Sequence, residues 1–209
     1  MARIVKKSSE RKADIIKAAG RLFKKKEYEK ATMQDVMDAL GIAKGTIYHY
    51  FKSKEDLLEA VIEDIVDQYI GQMQALAKEA EGDALQKMQQ LIQKGRIAEE
   101  NQNILEYLHK PGNYAMHCRL LAAIILKQAP LYAEVIEQGC KEGIFKTEAP
   151  LECAEFIISA VQFLTDVGIY PWTQEDLKRR IQAFPNLIEQ QLLAPPGSFK
   201  FLTQQIADN

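Results

Sequence analysis

A cluster of hydrogen-bond donors and cationic side chains lies between residues 43 and 54 of the sequence. Its polar members are Lys44, Thr46, Tyr48, His49, Tyr50 and Lys54. Ammonium and hydroxyl groups of this kind contact phosphate oxygens and the edges of bases in nucleic acids. We therefore expect this stretch to recognise a polyanion; the alternative is that Tyr48 and Tyr50 are core aromatic residues.

Two short predicted helices position this cluster. In the first, predicted over residues 33–40, apolar residues recur at helical spacing: Met33, Val36, Met37 and Leu40. Thr32 and Asp35 form a T-x-x-D capping pattern at its start. Gly41 supplies the residue type on which helices commonly end. The second helix is predicted over residues 43–50.

Such a pair of helices, joined by Gly41 and Ile42, is typical of a helix-turn-helix, whose second helix enters the major groove of DNA. Ile47 and Phe51 lie one turn apart and are expected to face the core, which leaves the polar side chains to project. A glycine inside a helix costs about 1 kcal/mol relative to alanine. We interpret Gly45 as allowing close approach of the backbone to DNA; the alternative is that it marks a loop.

The charge of the chain is unevenly distributed. Residues 1–54 hold 14 Lys and Arg against 6 Asp and Glu, whereas residues 55–209 hold 13 against 23. The net charge of −2 therefore combines a basic head with an acidic body. This asymmetry favours contact between the head and a polyanion; the alternative is an ordinary solvated surface.

The rest of the sequence predicts an all-α chain, because strand-like alternation is nowhere sustained. The expected helices cover residues 10–26, 33–40, 43–50, 54–76, 83–99, 102–109, 113–128, 131–142, 151–169 and 174–193. Pro130 is expected to separate two of them, and Pro185 to kink or divide the last. Residues 151–169 are apolar on nearly every side, which predicts burial in the body or against a second chain.

The sequence also indicates where the protein resides. It contains no apolar run of about 18 residues, so no membrane-spanning helix is predicted. Its N-terminus is basic but lacks the apolar stretch of a secretory signal. We therefore expect a cytoplasmic protein.

Residues 32–58, TMQDVMDALGIAKGTIYHYFKSKEDLL, closely resemble the DNA-binding domain of the TetR family of bacterial regulators. The matching features are Thr32, Gly41-Ile42, Lys44-Gly45-Thr46-Ile47-Tyr48, Tyr50-Phe51, Lys54-Glu55 and Leu57-Leu58. The resemblance extends over about residues 9–69. Residues that depart from the family pattern are Glu27 in place of a glycine, Ala31 in place of a threonine, Met37 in place of a small residue and Ala43 in place of a serine.

This resemblance implies a DNA-binding domain of three helices over residues 9–69, with its helix-turn-helix at about 32–51. It implies an effector-binding and dimerisation domain of helices over residues 70–209. The function implied is that of a repressor, released by a small-molecule ligand from a palindromic operator in double-stranded DNA. The implied DNA-binding residues are Thr32, Ala43, Lys44, Gly45, Thr46, Tyr48, His49, Tyr50 and Lys54, of which Lys44 and Thr46 are expected to read bases.

The resemblance further implies a homodimer. Helices 151–169 and 174–193 are the expected dimer elements, since pairs of them from two chains make a four-helix bundle; the alternative is that the first is an internal core helix. Candidates for lining a ligand pocket are Tyr107, His109, Tyr114, Met116, His117, Phe163 and Trp172. The spacing of His109, His117 and Cys118 is not diagnostic of a metal site, and neither a metal nor a cofactor is predicted.

Other function classes lack a supporting motif or remain as alternatives. The sequence has no G-x-S-x-G, no P-loop and no G-x-G-x-x-G, so we do not expect an enzyme. The spacing of Cys118, Cys140 and Cys153 matches no metal-knuckle or C-x-x-C pattern; the alternative to a ligand pocket is that one of these cysteines senses oxidants. An activator or a nucleoid protein is a further alternative.

Overall fold

Helical periodicity in the sequence is realised as helices throughout residues 8–95, 101–110 and 112–203, which the computed structural model describes. These helices are α1 (Ser8–Lys26), α2 (Met33–Leu40), α3 (Lys44–Tyr50), α4 (Lys54–Glu79), α5 (Ala84–Lys94), α6 (Gln102–Leu108), α7 (Tyr114–Glu142), α8 (Pro150–Leu164) and α9 (Gln174–Leu192). No strand occurs within these ranges, so the all-α prediction is confirmed. Among these helices, none combines the length and apolar character that crossing a membrane requires.

The chain divides into two compact units. The described part of the first unit comprises residues 8–68 together with 101–110 and 112–116, and that of the second comprises 69–95 and 117–203. The change of unit after Gln68 falls inside α4. The expected division into functional domains at 9–69 and 70–209 stays a prediction, since compactness does not say which residues bind DNA or an effector.

In the first unit, apolar side chains from four helices make the core around α1. The largest buried contributors are Ile15, Phe23, Val36, Ile47, Phe51, Leu57 and Leu58. Helix α1 packs against α2 and against α6. Full burial of one such side chain contributes about 1.5–3 kcal/mol. Helices as short as α2 and α3 are unstable alone, so this packing holds them in place.

In the second unit, α7 runs through Pro130 as one helix. The prediction of two helices separated at this proline is wrong. A proline in a helix interior costs about 3 kcal/mol, because it removes a backbone hydrogen bond and clashes with the preceding turn. Burial of Leu131, Tyr132, Val135 and Ile136 directly after it offsets that cost.

The last two helices also differ from the sequence-based boundaries. Helix α8 ends at Leu164, so residues 165–169 lie in a turn rather than in the helix. Helix α9 is continuous through Pro185, which does not divide it. Helix α5 ends at Lys94, and positions 96–99 of the helix expected over 83–99 lie outside the described residues. The segment after α9 packs Phe199 and Phe201 into the core, where Phe199 stacks on Phe145.

Candidate nucleic-acid interface

The start of α2 is fixed by a reciprocal capping box. Thr32 Oγ1 accepts a hydrogen bond from the Asp35 backbone N–H at 3.1 Å, and Asp35 Oδ2 accepts the Thr32 backbone N–H at 2.9 Å. The Thr32 hydroxyl donates to the same carboxylate oxygen at 2.9 Å. Lys26 Nζ lies 2.6 Å from Asp35 Oδ1, and it acts with the Thr32 backbone N–H to lower the pKa of Asp35 to about 2. The predicted cap is confirmed, and the hydroxyl proton of Thr32 is committed to Asp35.

The turn between α2 and α3 depends on Gly41. Its φ of 61° lies in the left-handed region, which glycine adopts without a steric penalty. The Gly41 backbone N–H donates to Asp38 O at 3.3 Å, and that of Ile42 donates to Met37 O at 3.1 Å. These bonds satisfy the last carbonyls of α2 and redirect the chain into α3. The predicted glycine end of α2 is confirmed.

Helix α3 has one buried side and one exposed side. Ile47 and Phe51 are almost fully buried, as expected. The outward-facing residues Ala43, Lys44, Gly45, Tyr48 and His49 are exposed, and Thr46 and Tyr50 are half-buried. Tyr48 is therefore not a core aromatic residue.

Gly45 lies within α3, so the interpretation that it marks a loop is wrong. A Cβ atom built at Gly45 has no neighbour within 4 Å. Packing inside the chain therefore does not require a glycine here. What the residue provides is an uncovered stretch of helix backbone on the exposed side of α3.

The polar side chains of α3 are held by contacts that set their directions. Lys44 Nζ lies 5.7 Å from the centre of the Tyr48 ring. The Tyr50 hydroxyl lies 3.2 Å from Ser8 Oγ at the start of α1, and its ring meets His49 edge-on at 4.9 Å. These contacts limit the rotamers of the side chains without removing Lys44, Tyr48 and His49 from the surface.

Lys54, at the start of α4, points back toward the loop between α1 and α2. Its ammonium group donates to Glu29 O at 3.2 Å and lies 4.1 Å from the centre of the Tyr28 ring. Partial burial lowers the pKa of Lys54. This cation is thus already engaged within the chain, unlike the exposed Lys44.

Sequence reasoning missed several partners of these residues. Lys26, Ser8 and the carbonyl of Glu29 each fix a predicted site residue from another element. Asp35 was identified through its three-residue spacing from Thr32, which is a local pattern. The missed partners are distant in sequence: 9 residues from Asp35, 42 residues from Tyr50 and 25 residues from Lys54. Local sequence patterns do not predict contacts over such separations.

The seven pocket candidates do not fall in one unit. Tyr107, His109, Tyr114 and Met116 belong to the first unit, and His117, Phe163 and Trp172 belong to the second. His109 and Tyr114 are exposed, with Tyr114 at 58% of its surface.

In the second unit, aromatic and ionic contacts surround the turn between α8 and α9. The Nε2 atom of buried His117 lies 3.0 Å from Asp166 Oδ2, whose other oxygen accepts the backbone N–H groups of Gly168 and Ile169. The Trp172 ring stacks on Tyr170 at 5.0 Å, and the Arg180 guanidinium carbon lies 3.5 Å from its centre. The candidates in this unit therefore serve first to order the turn.

Helices α8 and α9 pack together and leave apolar side chains exposed on the single chain. These side chains, with those of the flanking residues, are Leu151, Phe156, Leu164, Val167, Leu187 and Leu193, with exposed fractions from 38% to 64%. We call these six residues the α8–α9 surface. Helix α8 is therefore not an internal core helix.

The cysteines are placed without forming a disulfide. Cys153 is buried, with its Sγ 3.2 Å from Thr147 Oγ1 and 3.6 Å from Gln191 Nε2. Cys140 Sγ lies 3.8 Å from Thr147 O, and Cys118 is half-buried.

Comparison with family models matches both parts of the chain. Residues 15–61 match the model described as bacterial regulatory proteins of the tetR family. Residues 96–187 match the model described as the tetracyclin repressor-like C-terminal domain. The matched families consist of transcriptional regulators, not enzymes.

Individual proteins that are similar to this chain are also named as transcriptional regulators. The HTH-type transcriptional repressor KstR2 of Mycolicibacterium smegmatis (strain ATCC 700084 / mc(2)155) is 22% identical over 146 residues, which are 68% of this chain and 71% of that protein. The HTH-type transcriptional regulator YfiR of Bacillus subtilis (strain 168) is 40% identical over 58 residues, 28% of each chain. The crystal structure of a TetR-family transcriptional regulator from Pectobacterium atrosepticum superposes with a TM-score of 0.64 at 20% identity, covering 92% of this chain and 100% of that one. The structural likeness shows a shared fold.

Proposed function

The chain belongs to the TetR family of DNA-binding transcriptional regulators, and from that premise we propose that it is a homodimeric repressor which a small-molecule ligand releases from a palindromic operator. The observation that carries this proposal is the exposed side of α3, where the Lys44, Tyr48 and His49 side chains project and Gly45 leaves the backbone uncovered. A similar relative, KstR2, is itself named a repressor.

Within the interface we assign base reading to Lys44 and Thr46. Lys44 is exposed in the first turn of α3, and the N-terminal residues of a recognition helix are those that contact base edges. Exposed Gly45 lets the backbone between them approach the DNA closely. Ala43 and His49 border the same surface and have no assigned base.

Phosphate contact is assigned to Thr32, Tyr48, Tyr50 and Lys54. These side chains differ in how far they are already hydrogen-bonded within the chain. The exposed Tyr48 hydroxyl is the freest of the four. Thr32 donates its hydroxyl proton to Asp35, so it contributes mainly by orienting the first turn of α2 toward a phosphate. Lys54 must weaken its bond to Glu29 O to reach a phosphate, so its contribution is smaller than that of a fully solvated lysine.

Dimerisation is assigned to the α8–α9 surface. Large apolar side chains exposed together on two packed helices are typical of an interface between chains. Two such helices from each of two copies make a four-helix bundle. A dimer presents two copies of α3 to half-sites about 34–36 Å apart, and its two-fold symmetry requires a palindromic operator.

Release is assigned to an effector that binds residues 70–209. The ligand must bind the DNA-competent and released states with unequal affinity, because only differential binding shifts their populations. The aromatic groups of this region, Phe163 and Trp172 among them, suit an apolar ligand. For the alternative in which a cysteine senses oxidants, Cys153 is the least suited, because its sulfur is buried against Thr147 and Gln191.

Selection of bound duplexes from a random pool tests this function. With the full chain at near-physiological salt, we expect a palindrome of about 15–25 base pairs whose half-sites lie one helical turn apart. Recovery of sequences without any enrichment, from a preparation shown to carry no bound small molecule, would contradict a specific regulator.

A further inference from the structure

Two side chains at the start of α1 reach the C-terminal end of α3. Ser8 Oγ lies 3.2 Å from the Tyr50 hydroxyl, and Lys12 Nζ lies 5.7 Å from the centre of the Phe51 ring. Ser8 and Lys12 are four residues apart, so they lie one turn apart on the same side of α1. The first turns of α1 and the end of α3 therefore share a surface that carries an ammonium group and two hydroxyls.

The chain holds Lys12 in place without neutralising its charge. Its side chain is exposed, and its ammonium group has no carboxylate partner among the described residues. Phe51 is buried at the end of α3, so its ring is a fixed support for the lysine side chain. A cation–π contact at an exposed site is weak, so it orients the ammonium group without preventing it from reaching an anion. Lys54, in contrast, already donates to Glu29 O.

The two hydroxyls supply one further hydrogen-bond donor. Each hydroxyl has a single hydrogen, so whichever group donates to the other, one O–H of the pair is left to donate to an external acceptor. Tyr50 is half-buried and its ring meets His49 edge-on at 4.9 Å, which fixes the direction of the phenol. An ammonium group and an O–H on one surface are donors of the kind that phosphate oxygens accept.

The position of this surface along α3 decides which part of the DNA it meets. The N-terminal residues of a recognition helix contact base edges, and in α3 this end carries Lys44. Helix α3 is 7 residues long, so its two ends are about 10 Å apart at 1.5 Å per residue. The major groove is about 12 Å wide, so the other end of α3 lies close to the sugar–phosphate backbone at the edge of the groove. A cation at that end meets a phosphate rather than a base.

We propose that Lys12 and the Ser8–Tyr50 hydroxyl pair bind one backbone phosphate in each half-site of the operator, which adds α1 to the elements that contact DNA. The Lys12 ammonium group pairs with the phosphate. Ser8 is a positioning residue: its hydroxyl donates to the Tyr50 oxygen, so that the phenolic O–H donates to the same phosphate. This inference rests on the proposed function, and it adds a lysine whose charge is more available to DNA than that of Lys54.

Anisotropy titrations of the full chain over a range of salt concentrations test this contact, on the selected palindrome and on a random-sequence duplex of equal length. A phosphate contact is independent of sequence. Lys12→Gln should therefore lower the affinity for both duplexes by about fivefold for each chain bound, and should decrease the slope of log affinity against log salt by about 0.9 for each chain. Lys17→Gln is the matched control, because it removes the same charge from an exposed position of α1 that lies about 140° around the helix from Lys12. The control should change neither quantity.

Two further measurements separate direct contact from a structural role. Single phosphates of the palindrome are replaced in turn by neutral methylphosphonates. One position in each half-site should weaken binding of the parent chain but not of Lys12→Gln. Ser8→Ala should weaken binding severalfold in the parent and have no further effect in Tyr50→Phe, because it acts through that hydroxyl.

Three results would overturn the proposal: equal losses of affinity in Lys12→Gln and Lys17→Gln, a salt slope in Lys12→Gln equal to that of the parent, or the same methylphosphonate profile in both chains. An undiminished effect of Ser8→Ala in Tyr50→Phe would remove Ser8 from the site. Failure of the proposed function looks different, because the parent would then bind the palindrome and the random duplex equally. The comparison of Lys12→Gln with Lys17→Gln on the random duplex decides the phosphate contact in that case as well.

Discussion

The two units of this protein expose surfaces of opposite character. On the first, α3 projects an ammonium group, hydroxyls and a histidine. On the second, the α8–α9 surface projects leucine, valine and phenylalanine side chains. Donors and cations stay hydrated until a polyanion replaces their water, whereas exposed apolar groups are stabilised only when another apolar surface covers them. The comparison predicts that substitutions on the exposed side of α3 impair sequence-specific DNA binding, whereas substitutions on the α8–α9 surface prevent dimerisation.

The largest effect is expected from Phe156→Asp on the α8–α9 surface. Phe156 is 63% exposed in the single chain, so the substitution should leave the fold intact while placing a charge in the proposed dimer interface. We expect monomers in analytical ultracentrifugation and an operator affinity lower by about 100-fold or more, because the two heads no longer act together.

Leu126→Asp provides the matched control for that change. Leu126 lies on α7 and is 70% exposed, outside the α8–α9 surface. The control should remain dimeric and bind DNA normally. If Phe156→Asp also remains dimeric, the assignment of this surface to dimerisation is wrong.

The next largest effect is expected from Lys44→Ala on α3. Loss of a side chain that reads a base costs about 1–3 kcal/mol, or about 5–150-fold in affinity for the operator. Discrimination at one base position should relax, while the dimer persists. Fluorescence anisotropy with single-base operator variants measures this. An equal loss on operator and random DNA would show that Lys44 contacts phosphate only.

Each unit contains a helix that begins with a capping box, and the two boxes allow the effect of a cap on stability to be separated from its effect on DNA binding. Thr32 caps α2 through Asp35, and Thr173 caps α9 through Asp176, in the same reciprocal geometry. Thr32→Ala and Thr173→Ala should each lower the free energy of unfolding by about 1 kcal/mol. Only Thr32→Ala should also weaken operator binding, by severalfold in anisotropy titrations. A similar loss of DNA affinity in both variants would mean that Thr32 acts through stability alone.

The free energy of unfolding at low pH tests how much the carboxylates of Asp35 and Asp176 stabilise the protein. Hydrogen bonds from threonine to Asp176, and from Lys26 and Thr32 to Asp35, lower the pKa of each carboxyl group, to about 2 for Asp35. A lowered folded-state pKa stabilises the protein above the ordinary aspartate value, and this contribution is lost as the pH falls through the folded pKa. Denaturant unfolding between pH 5 and about 2 should therefore show a smaller decline in Asp35→Asn than in the parent chain.

A smaller effect is expected from Lys54→Ala. Lys54 is bound to Glu29 O and lies over Tyr28, so only part of its charge is available to DNA. Affinity should fall by the same severalfold factor on all sequences, and the slope of log affinity against log salt should decrease by less than about one, the value for a complete phosphate contact. A salt slope equal to that of the parent chain would remove Lys54 from the phosphate contacts.

The smallest effect is expected from replacing Cys118, Cys140 and Cys153 together by serine. Operator affinity should remain within about twofold of the parent chain before and after treatment with peroxide. Loss of DNA binding on oxidation in the parent, but not in the variant, would instead favour the cysteine-based alternative.

Local patterns predicted the helix ends and the buried side of α2 and α3 well, because the determinants of these features are close in sequence. The spacing of Thr32 and Asp35, the glycine at position 41 and the one-turn separation of Ile47 and Phe51 each report geometry within a few residues. The resemblance to the TetR family rested on the same stretch and is confirmed by the family models.

Other features depend on packing that no local pattern contains. Pro130 was expected to end a helix, yet buried neighbours carry α7 through it. The bond of Lys54 to Glu29 O joins residues 25 positions apart. Candidate pocket residues were chosen by type alone, and they divide between the two units. Side-chain type indicates what a residue can bind but not which neighbours it meets.

The most direct test of specific DNA reading compares two duplexes of equal length, the selected palindrome and a scrambled version of it. Binding is measured by anisotropy over a range of salt concentrations, with the stoichiometry taken at saturation. We predict two chains per palindrome and an affinity about 1,000-fold or more above that for the scrambled duplex at physiological salt. Equal affinities with the same salt dependence would contradict the account, because binding would then rest on phosphate contacts alone.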